Sequence, residues 1–382
     1  MKIALFSNFI NHHQVPLGDE LFKLTDGNYT FVATIPLPDS FAQSGYSDYS
    51  HKPYLLKAYE SDESFKKAMI LAEEADVVIL GSAPACFIKK RLYQNKLTFR
   101  YSERWFKKNS NMIMNPLRLL LDHYRYINKP LYVLAASAYT AVDVNSIGLY
   151  RNKVFKWGYF TEVDNSVTID SRNFQSKEYY SLMWCARFID WKHPELPIKL
   201  ARKMKDLGYN FSIDMYGSGV ELKKMQDLAS SLHVEDVVFF KGNIPNSEVL
   251  HQMKEHDIFL FTSDKAEGWG AVLNEAMANG CAVVASNLIG SVPFVVKDGE
   301  NGCVFKSESV DSLLKKVVYL IENPKQKIKM QKNALKTMNE VWNAKNAAKQ
   351  LLVLIEALQT SNYSLIPKDG PCSVAEKKLR FN

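Results

Sequence analysis

The sequence predicts an α/β protein of two doubly wound, Rossmann-like domains in tandem. Three observations carry that expectation. At 382 residues the chain has room for two separate cores. Short apolar runs alternate with segments of helical apolar spacing, the pattern of parallel strands joined by helices. The alternation runs to about residue 159, breaks across a polar stretch at 161–177, and then restarts. The domains drawn from it are 1–165 and 166–340, followed by a helix at 341–359 and a tail at 360–382.

Taken in order, residues 2–7 are an apolar run ending on polar residues, a first strand. Residues 8–18 read as a loop, with Pro16 suited to the first turn of a helix that continues through Leu24. Residues 29–35 are a second strand, and 36–53, rich in Pro, Ser, Asp and Gly, a long loop. Residues 64–75 carry helical spacing, and 76–81, 97–101, 131–135 and 153–159 are further strands. In the second half, strands are expected at 180–187, 211–216, 237–240, 257–261 and 282–286, with helices at 194–207 and from Gly217 through Leu232. Beyond Glu308 the chain reads as helical. Val341, Trp342, Leu351, Leu352, Leu354, Ile355 and Leu358 line one face of an amphipathic helix. The tail, with its Pro, Gly and Lys, reads as loosely ordered.

Composition excludes several classes. Apolar content of 47% and charged content of 23% are those of a globular protein. No run reaches the roughly 18 apolar residues of a membrane span, and the apolar run at the N-terminus is too short for a secretory signal. Cys86, Cys185, Cys281, Cys303 and Cys372 are odd in number and widely spaced, against a disulfide framework or a cysteine zinc site. A cytoplasmic location follows as the expectation. The net charge of +7 is concentrated between Pro84 and Pro130, where Lys89, Lys90, Arg91, Lys96, Arg100, Arg104, Lys107, Lys108, Arg118, Arg125 and Lys129 face only Glu103 and Asp122. Aromatic residues interleave them. The pattern suits an anionic membrane surface, a nucleic acid, or a plain solvated face.

One stretch is richest in chemistry. Glu267 is followed by Gly268, Trp269, Gly270 and Ala271, then by Glu275, a helix, and the apolar run at 282–286. Glycines before a helix start permit close ligand approach, and unpaired N–H groups there suit a phosphate. On that reading Glu267 lies near the helix mouth and Glu275 about two turns deeper. Glu300 and Glu308 show the same eight-residue step in a turn-like context, so spacing alone decides nothing. Arg187 and Lys192 directly follow a strand; they would grip a diphosphate, and equally fit a solvated loop. Gly217-Ser218-Gly219 lies between strand and helix without the third glycine of a dinucleotide fingerprint, so a tight turn also explains it. His12 and His13 lie in the first strand-to-helix loop, and at most one is expected to act. There is no Asp-x-Asp to hold a metal-bridged diphosphate.

Assembled, the pattern resembles the family 4 glycosyltransferases of GT-B fold, most strongly over residues 180–305. Glu267-x7-Glu275 with Gly268, Trp269 and Gly270 inside it resembles that family's signature, and Arg187 and Lys192 fall where the family places its diphosphate-binding pair. The resemblance implies a GT-B fold, two domains facing across a cleft, with the C-terminal helix crossing back to the N-terminal domain. It implies a retaining, hexosyltransferase-type transfer of a sugar from a nucleotide donor, most often UDP-linked, to a saccharide or lipid-linked acceptor in surface polysaccharide or glycolipid assembly. By carry-over, Glu267 holds donor-sugar hydroxyls, Arg187 and Lys192 stabilise the departing diphosphate, and Glu275 takes the ribose hydroxyls. The backbone at Gly268, Trp269, Gly270 and Ala271 takes phosphate or sugar, Gly217 adjoins the donor, and Asn243 and Ile244 hold the base through backbone groups. No cofactor and no metal are implied. In the N-terminal half the paired glycines and the histidine common in relatives are replaced; His13, Gly18 and Ser82 stand nearest those places as acceptor or donor contacts. An acceptor at the membrane through residues 84–130 is the natural partner, and no nucleic acid is expected. The competing readings are a GT-B epimerase or phosphorylase, an inactive nucleotide-sugar-binding subunit, and a nucleic-acid-binding protein built on the basic segment.

Overall fold

The computed structural model describes residues 1–38, 48–106, 120, 123–164, 166–167 and 179–377. The chain forms two compact units. Unit 1 comprises residues 1–162 and the return segment from Trp342; unit 2 is residues 163–341.

Among the described residues, unit 1 forms a seven-stranded, wholly parallel sheet. Its strands are β1 (Ile3–Ser7), β2 (Tyr29–Ala33), β3 (Leu55–Lys57), β4 (Val77–Leu80), β5 (Thr98–Ser102), β6 (Leu131–Ala135) and β7 (Val154–Lys156), in the order β3-β2-β1-β4-β5-β6-β7. The register Ile3↔Tyr29 and Ile3↔Val77 places β1 between β2 and β4, where the order reverses. β1 and β4 are buried throughout, as a strand covered on both faces must be. Helices α1 (Val15–Leu24), α2 (Asp62–Glu74), α3 (Cys86–Tyr93) and α4 (Ala138–Ser146) join the strands. Ser61 caps α2 by accepting from Ser64 N, and Pro16 occupies the first turn of α1. The loop expected to reach Gly18 therefore ends at Gln14. Gly18 lies inside α1, where an added Cβ would come 2.9 Å from the Tyr54 hydroxyl oxygen. That glycine serves packing.

Unit 2 repeats the plan with six parallel strands: β8 (Tyr180–Cys185), β9 (Phe211–Tyr216), β10 (Val238–Gly242), β11 (Ile258–Phe261), β12 (Ala282–Ser286) and β13 (Cys303–Phe305), ordered β10-β9-β8-β11-β12-β13. Between them lie α5 (Glu195–Asp206), α6 (Leu222–Ser231), α7 (Asn246–Glu255), α8 (Val272–Ala278) and α9 (Val292–Val295), followed by α10 (Val310–Glu322) and α11 (Pro324–Lys336). Leu182, Ile213, Ile258, Leu260 and Val284 from the sheet pack with Leu200, Met204, Leu313 and Val317 from α5 and α10. The final helix, α12 (Ala344–Thr360), packs against α1 within unit 1 and buries Ala347, Ala348, Leu351, Leu354 and Ile355.

Two expectations are corrected. The tail is not loose through its described length. Lys156 N donates to Ser373 O and Cys372 N to Lys156 O, both at 2.7 Å, so residues 372–375 cover the edge of β7. The basic segment is also not one surface. Arg91 is fully buried, and Arg104 pairs with the buried Asp143 and stacks on Tyr139. Lys90 pairs with Glu73, and Lys96 donates to Glu73 O. Lys89 and Arg125 are exposed; Lys107, Lys108 and Arg118 lie outside the described residues. Among the described residues no helix is long and apolar enough to cross a membrane.

Candidate functional site

In a doubly wound sheet the loops at the C-terminal ends of the strands that flank the order reversal form a natural ligand crevice. In unit 2 those strands are β8 and β11. The loop after β8 carries Arg187 and Lys192, and the loop after β11 carries Glu267. Sheet topology thus brings together residues 75 positions apart in the chain.

The two loops are joined at several points. Thr262 accepts from Trp184 Nε1 at 2.9 Å and donates to Lys192 O at 2.7 Å, while Asp264 N donates to Trp191 O at 3.0 Å. Lys192 Nζ forms an ion pair with Glu267 Oε2, which also accepts from Ser263 Oγ at 3.0 Å. The side chains of Lys192 and Glu267 are only 12% and 10% exposed, so the pair is shielded from most solvent screening. The Trp191 ring lies beneath both cations, 4.4 Å from Lys192 Nζ and 5.9 Å from Arg187 Cζ. Arg187 itself is exposed.

The glycines have defined work. Gly217 has φ 129°, and a Cβ there would come 2.0 Å from Ala186 O. Gly219, with φ 153°, would meet Phe188 O at 2.4 Å. Two backbones run in contact here: Phe188 N donates to Ser218 O and Glu221 N to Phe188 O. Close approach of the Arg187 loop, beyond a tight turn, is what requires glycine. Gly270 has φ 78°, and a Cβ would come 2.3 Å from Phe261 Cζ.

The motif's helix begins later than expected. α8 starts at Val272, so Glu275 lies in its first turn and Glu267 in the loop before it. Glu275 is buried, and burial pushes its carboxyl up to about 7 against the opposing hydrogen bond from Asn246. Trp269 is fully buried and donates Nε1 to Asn274 Oδ1 at 3.0 Å, so only its backbone is available to a ligand. Ser291 Oγ fixes that backbone by donating to Trp269 O at 2.6 Å. Gly268 and Ala271 flank it. Asn243 is exposed and Ile244 half-buried in the loop after β10, next to Gly217, whose N–H donates to Gly242 O at 2.7 Å. Thr262, Ser263, Asp264 and Asn246 escaped sequence reasoning; ordinary polar residues near a strand end carry no spacing that marks them.

In unit 1 the order reversal falls between β1 and β4, and the loops after them carry His12, His13 and Ser82. The two imidazole rings pack at 3.8 Å, and His13 stacks on Tyr159 at 6.1 Å. Burial and the adjacent His12 bring His13 down to about 3, so its ring is neutral. Ser82 is exposed.

Residues 167–337, just under half of the chain, match the model of the family described as glycosyl transferases group 1. An uncharacterized glycosyltransferase of Methanocaldococcus jannaschii is 28% identical over 48% of this chain and 46% of its own length. The putative colanic acid biosynthesis glycosyltransferase WcaL of Salmonella typhimurium is 29% identical over 34% of this chain and 32% of its own. The chain thus spans less than half the length of either relative. Among solved structures, Anabaena Alr3699/HepE in complex with UDP covers 94% of this chain and 100% of its own, at 15% identity and a TM-score of 0.68. That likeness concerns the fold, which is of the GT-B class expected from the sequence.

Proposed function

We propose that the protein is a retaining glycosyltransferase of family 4 type. It moves a hexose from a nucleotide diphosphate donor, UDP-linked, to a saccharide or lipid-linked saccharide. The observation that carries this reading is the Lys192–Glu267 pair at the switch point of the unit 2 sheet, with Glu275 buried in the first turn of the next helix. UDP in the Anabaena structure, and the polysaccharide role in the WcaL name, support the donor and the pathway class.

In the reaction the bond from the sugar's anomeric carbon to the diphosphate breaks, and the diphosphate leaves with the electron pair. The acceptor oxygen bonds that carbon and gives its proton to an oxygen of the leaving diphosphate. Arg187 and Lys192 lie where negative charge builds on the leaving diphosphate, the placement that lowers such a barrier most. Glu267 then exchanges its lysine partner for hydroxyls of the donor sugar. Glu275 accepts from the ribose hydroxyls, Asn243 and Ile244 hold the base, and the Gly268–Ala271 backbone and Gly217 line the phosphate path. With two cations at the diphosphate, we assign no metal to the transfer step. We place the acceptor on unit 1, near His13 and Ser82; contact with an anionic membrane would fall to Lys89, Lys90 and Arg125 among the described residues.

Glu275 gives a pH signature. In the free protein its carboxyl titrates near 7, above its ordinary 4.5. Ribose hydroxyls donate to the carboxylate, so binding favours the ionised form and releases a proton when started below pH 7. UDP affinity is expected to rise about tenfold per pH unit below 7 and to level off above it. Calorimetry in buffers of different ionisation enthalpy reads the proton directly, and Glu275→Gln should flatten the profile. A wild-type affinity independent of pH between 5.5 and 7 removes Glu275 from the ribose. The reading as a whole is tested by a hydrolysis and thermal-shift screen across UDP-, GDP- and ADP-sugars. One UDP-sugar should stabilise the protein and be slowly hydrolysed; silence across the set sinks the proposal.

A further inference from the structure

Beside the Lys192–Glu267 pair, three side chains from separate segments of unit 2 meet with no part in the transfer. His193 follows Lys192 in a left-handed backbone conformation, with φ 50°. Its Nδ1 lies 2.9 Å from Glu195 Oε1. An ionised carboxylate only accepts, so this nitrogen carries a hydrogen and donates it. Nε2 lies 3.7 Å from Asp264 Oδ2 and makes no hydrogen bond, although solvent does not reach it. Glu308, in the turn between β13 and α10, brings a second carboxylate. One ligand atom from each of the three residues lies within 4.8 Å of the others. In the neutral ring Nε2 carries the lone pair, 3.7 Å from one carboxylate oxygen and with the Glu308 carboxylate close by, an arrangement that calls for a positive charge between them.

We propose that His193, Asp264 and Glu308 form a binding site for a divalent transition-metal cation, Zn²⁺ by preference, that staples the Lys192 loop to the Glu267 loop. The distances suit a bridging cation. At 3.7 Å the His193–Asp264 gap is too long for a hydrogen bond. Two ligands of one zinc ion, each about 2.0–2.2 Å from it, lie roughly 3–4 Å apart. Glu308 is exposed and free to turn inward, closing the wider part of the gap. The contact between His193 Nδ1 and Glu195 is the outer arrangement that metal-bound histidines use to fix ring and tautomer. One imidazole with two carboxylates suits Zn²⁺ better than Mg²⁺ or Ca²⁺, and a water completes four ligands. Asp264 already joins both loops, donating its N–H to Trp191 O and accepting from Glu267 N through its carbonyl. A cation on its carboxylate adds the start of α5 and the β13 turn to that junction. No spacing in the sequence announces this site, because its ligands come from three distant segments.

The full-length protein, stripped with a chelator, is titrated with CoCl₂ and then ZnCl₂. Co²⁺ should give the intense visible bands of a four-coordinate site, and Zn²⁺ should displace them and raise the melting temperature. His193→Gln should abolish both responses. Glu308→Gln, at an exposed position, should weaken Zn²⁺ about tenfold or more while leaving UDP affinity unchanged. That second readout keeps the cation site separable from the nucleotide reading. Absence of visible bands, or an equal Zn²⁺ response in the wild type and Glu308→Gln, overturns the proposal. So does a melting temperature that responds to pH through His193 and to no metal, which would give the place to a proton.

Discussion

Replacing Lys192 with alanine is expected to lower kcat by roughly two to three orders of magnitude, about 3–4 kcal/mol of lost transition-state stabilisation. The same change acts on the fold. Lys192 and Glu267 are both largely buried, and removing the lysine leaves the carboxylate accepting from Ser263 Oγ. Breaking a buried pair costs about 3 kcal/mol, near the lower end of what an uncompensated charge exacts because Ser263 still donates. The two effects separate in a double variant. Lys192→Met with Glu267→Gln removes both charges, so stability in urea should largely return while turnover stays low. If turnover returned with stability, the pair would be structural alone and the diphosphate would need another partner.

The second large effect is in unit 1. Arg91→Met is expected to destabilise that unit by about 4 kcal/mol. The guanidinium donates Nε to Thr98 Oγ1 at 3.0 Å, Nη1 to Ala72 O and Ala75 O at 2.7 and 3.0 Å, and Nη2 to Asp76 O and Leu97 O at 3.3 and 2.7 Å. It therefore closes the C-terminal end of α2 and ties it to the starts of β4 and β5. Methionine fills the space and satisfies none of those acceptors. Each stranded buried carbonyl costs about 1–3 kcal/mol, and the few that cannot find water set the total. Urea denaturation followed by tryptophan fluorescence checks it. UDP affinity of the folded variant should be unchanged, since the nucleotide groups are in unit 2. A stable variant with weakened binding to anionic vesicles would return Arg91 to the cationic surface suggested by composition.

Arg91 also shows where sequence reading ends. In a basic stretch it looks like its neighbours Lys89 and Lys90, because an arginine satisfied by main-chain carbonyls leaves no pattern. The same stretch hid α3, whose buried Phe87, Ile88 and Leu92 are interrupted by cations. The strands β3 and β13, three residues each, are too short to alternate visibly. Long apolar runs behaved differently: residues 211–216 and 282–286 are strands with the expected bounds, since burial on both faces demands such runs. The site divides in the same way. Arg187, Lys192 and Glu267 were singled out from local chemistry and family resemblance, and the structure joins the Lys192 and Glu267 loops. The depth of Glu275 was misjudged, because a helix that begins at Val272 cannot be dated from the motif's spacing. The ring of Trp269 is core, which leaves its backbone for the contact the resemblance implies. Glu308, which served to show that an eight-residue step means little, meets His193 and Asp264 only through the fold.

The central claim is that unit 2 holds a nucleotide diphosphate with Lys192 on the phosphates and Glu275 on the ribose. Calorimetric titration of UDP into the wild type and Glu275→Ala at pH 8, where the wild-type carboxyl is ionised, tests it most directly. Saturable one-to-one binding is expected of the wild type, with a loss of at least tenfold in the variant, whose melting temperature is preserved. Equal affinities in the two proteins would contradict it.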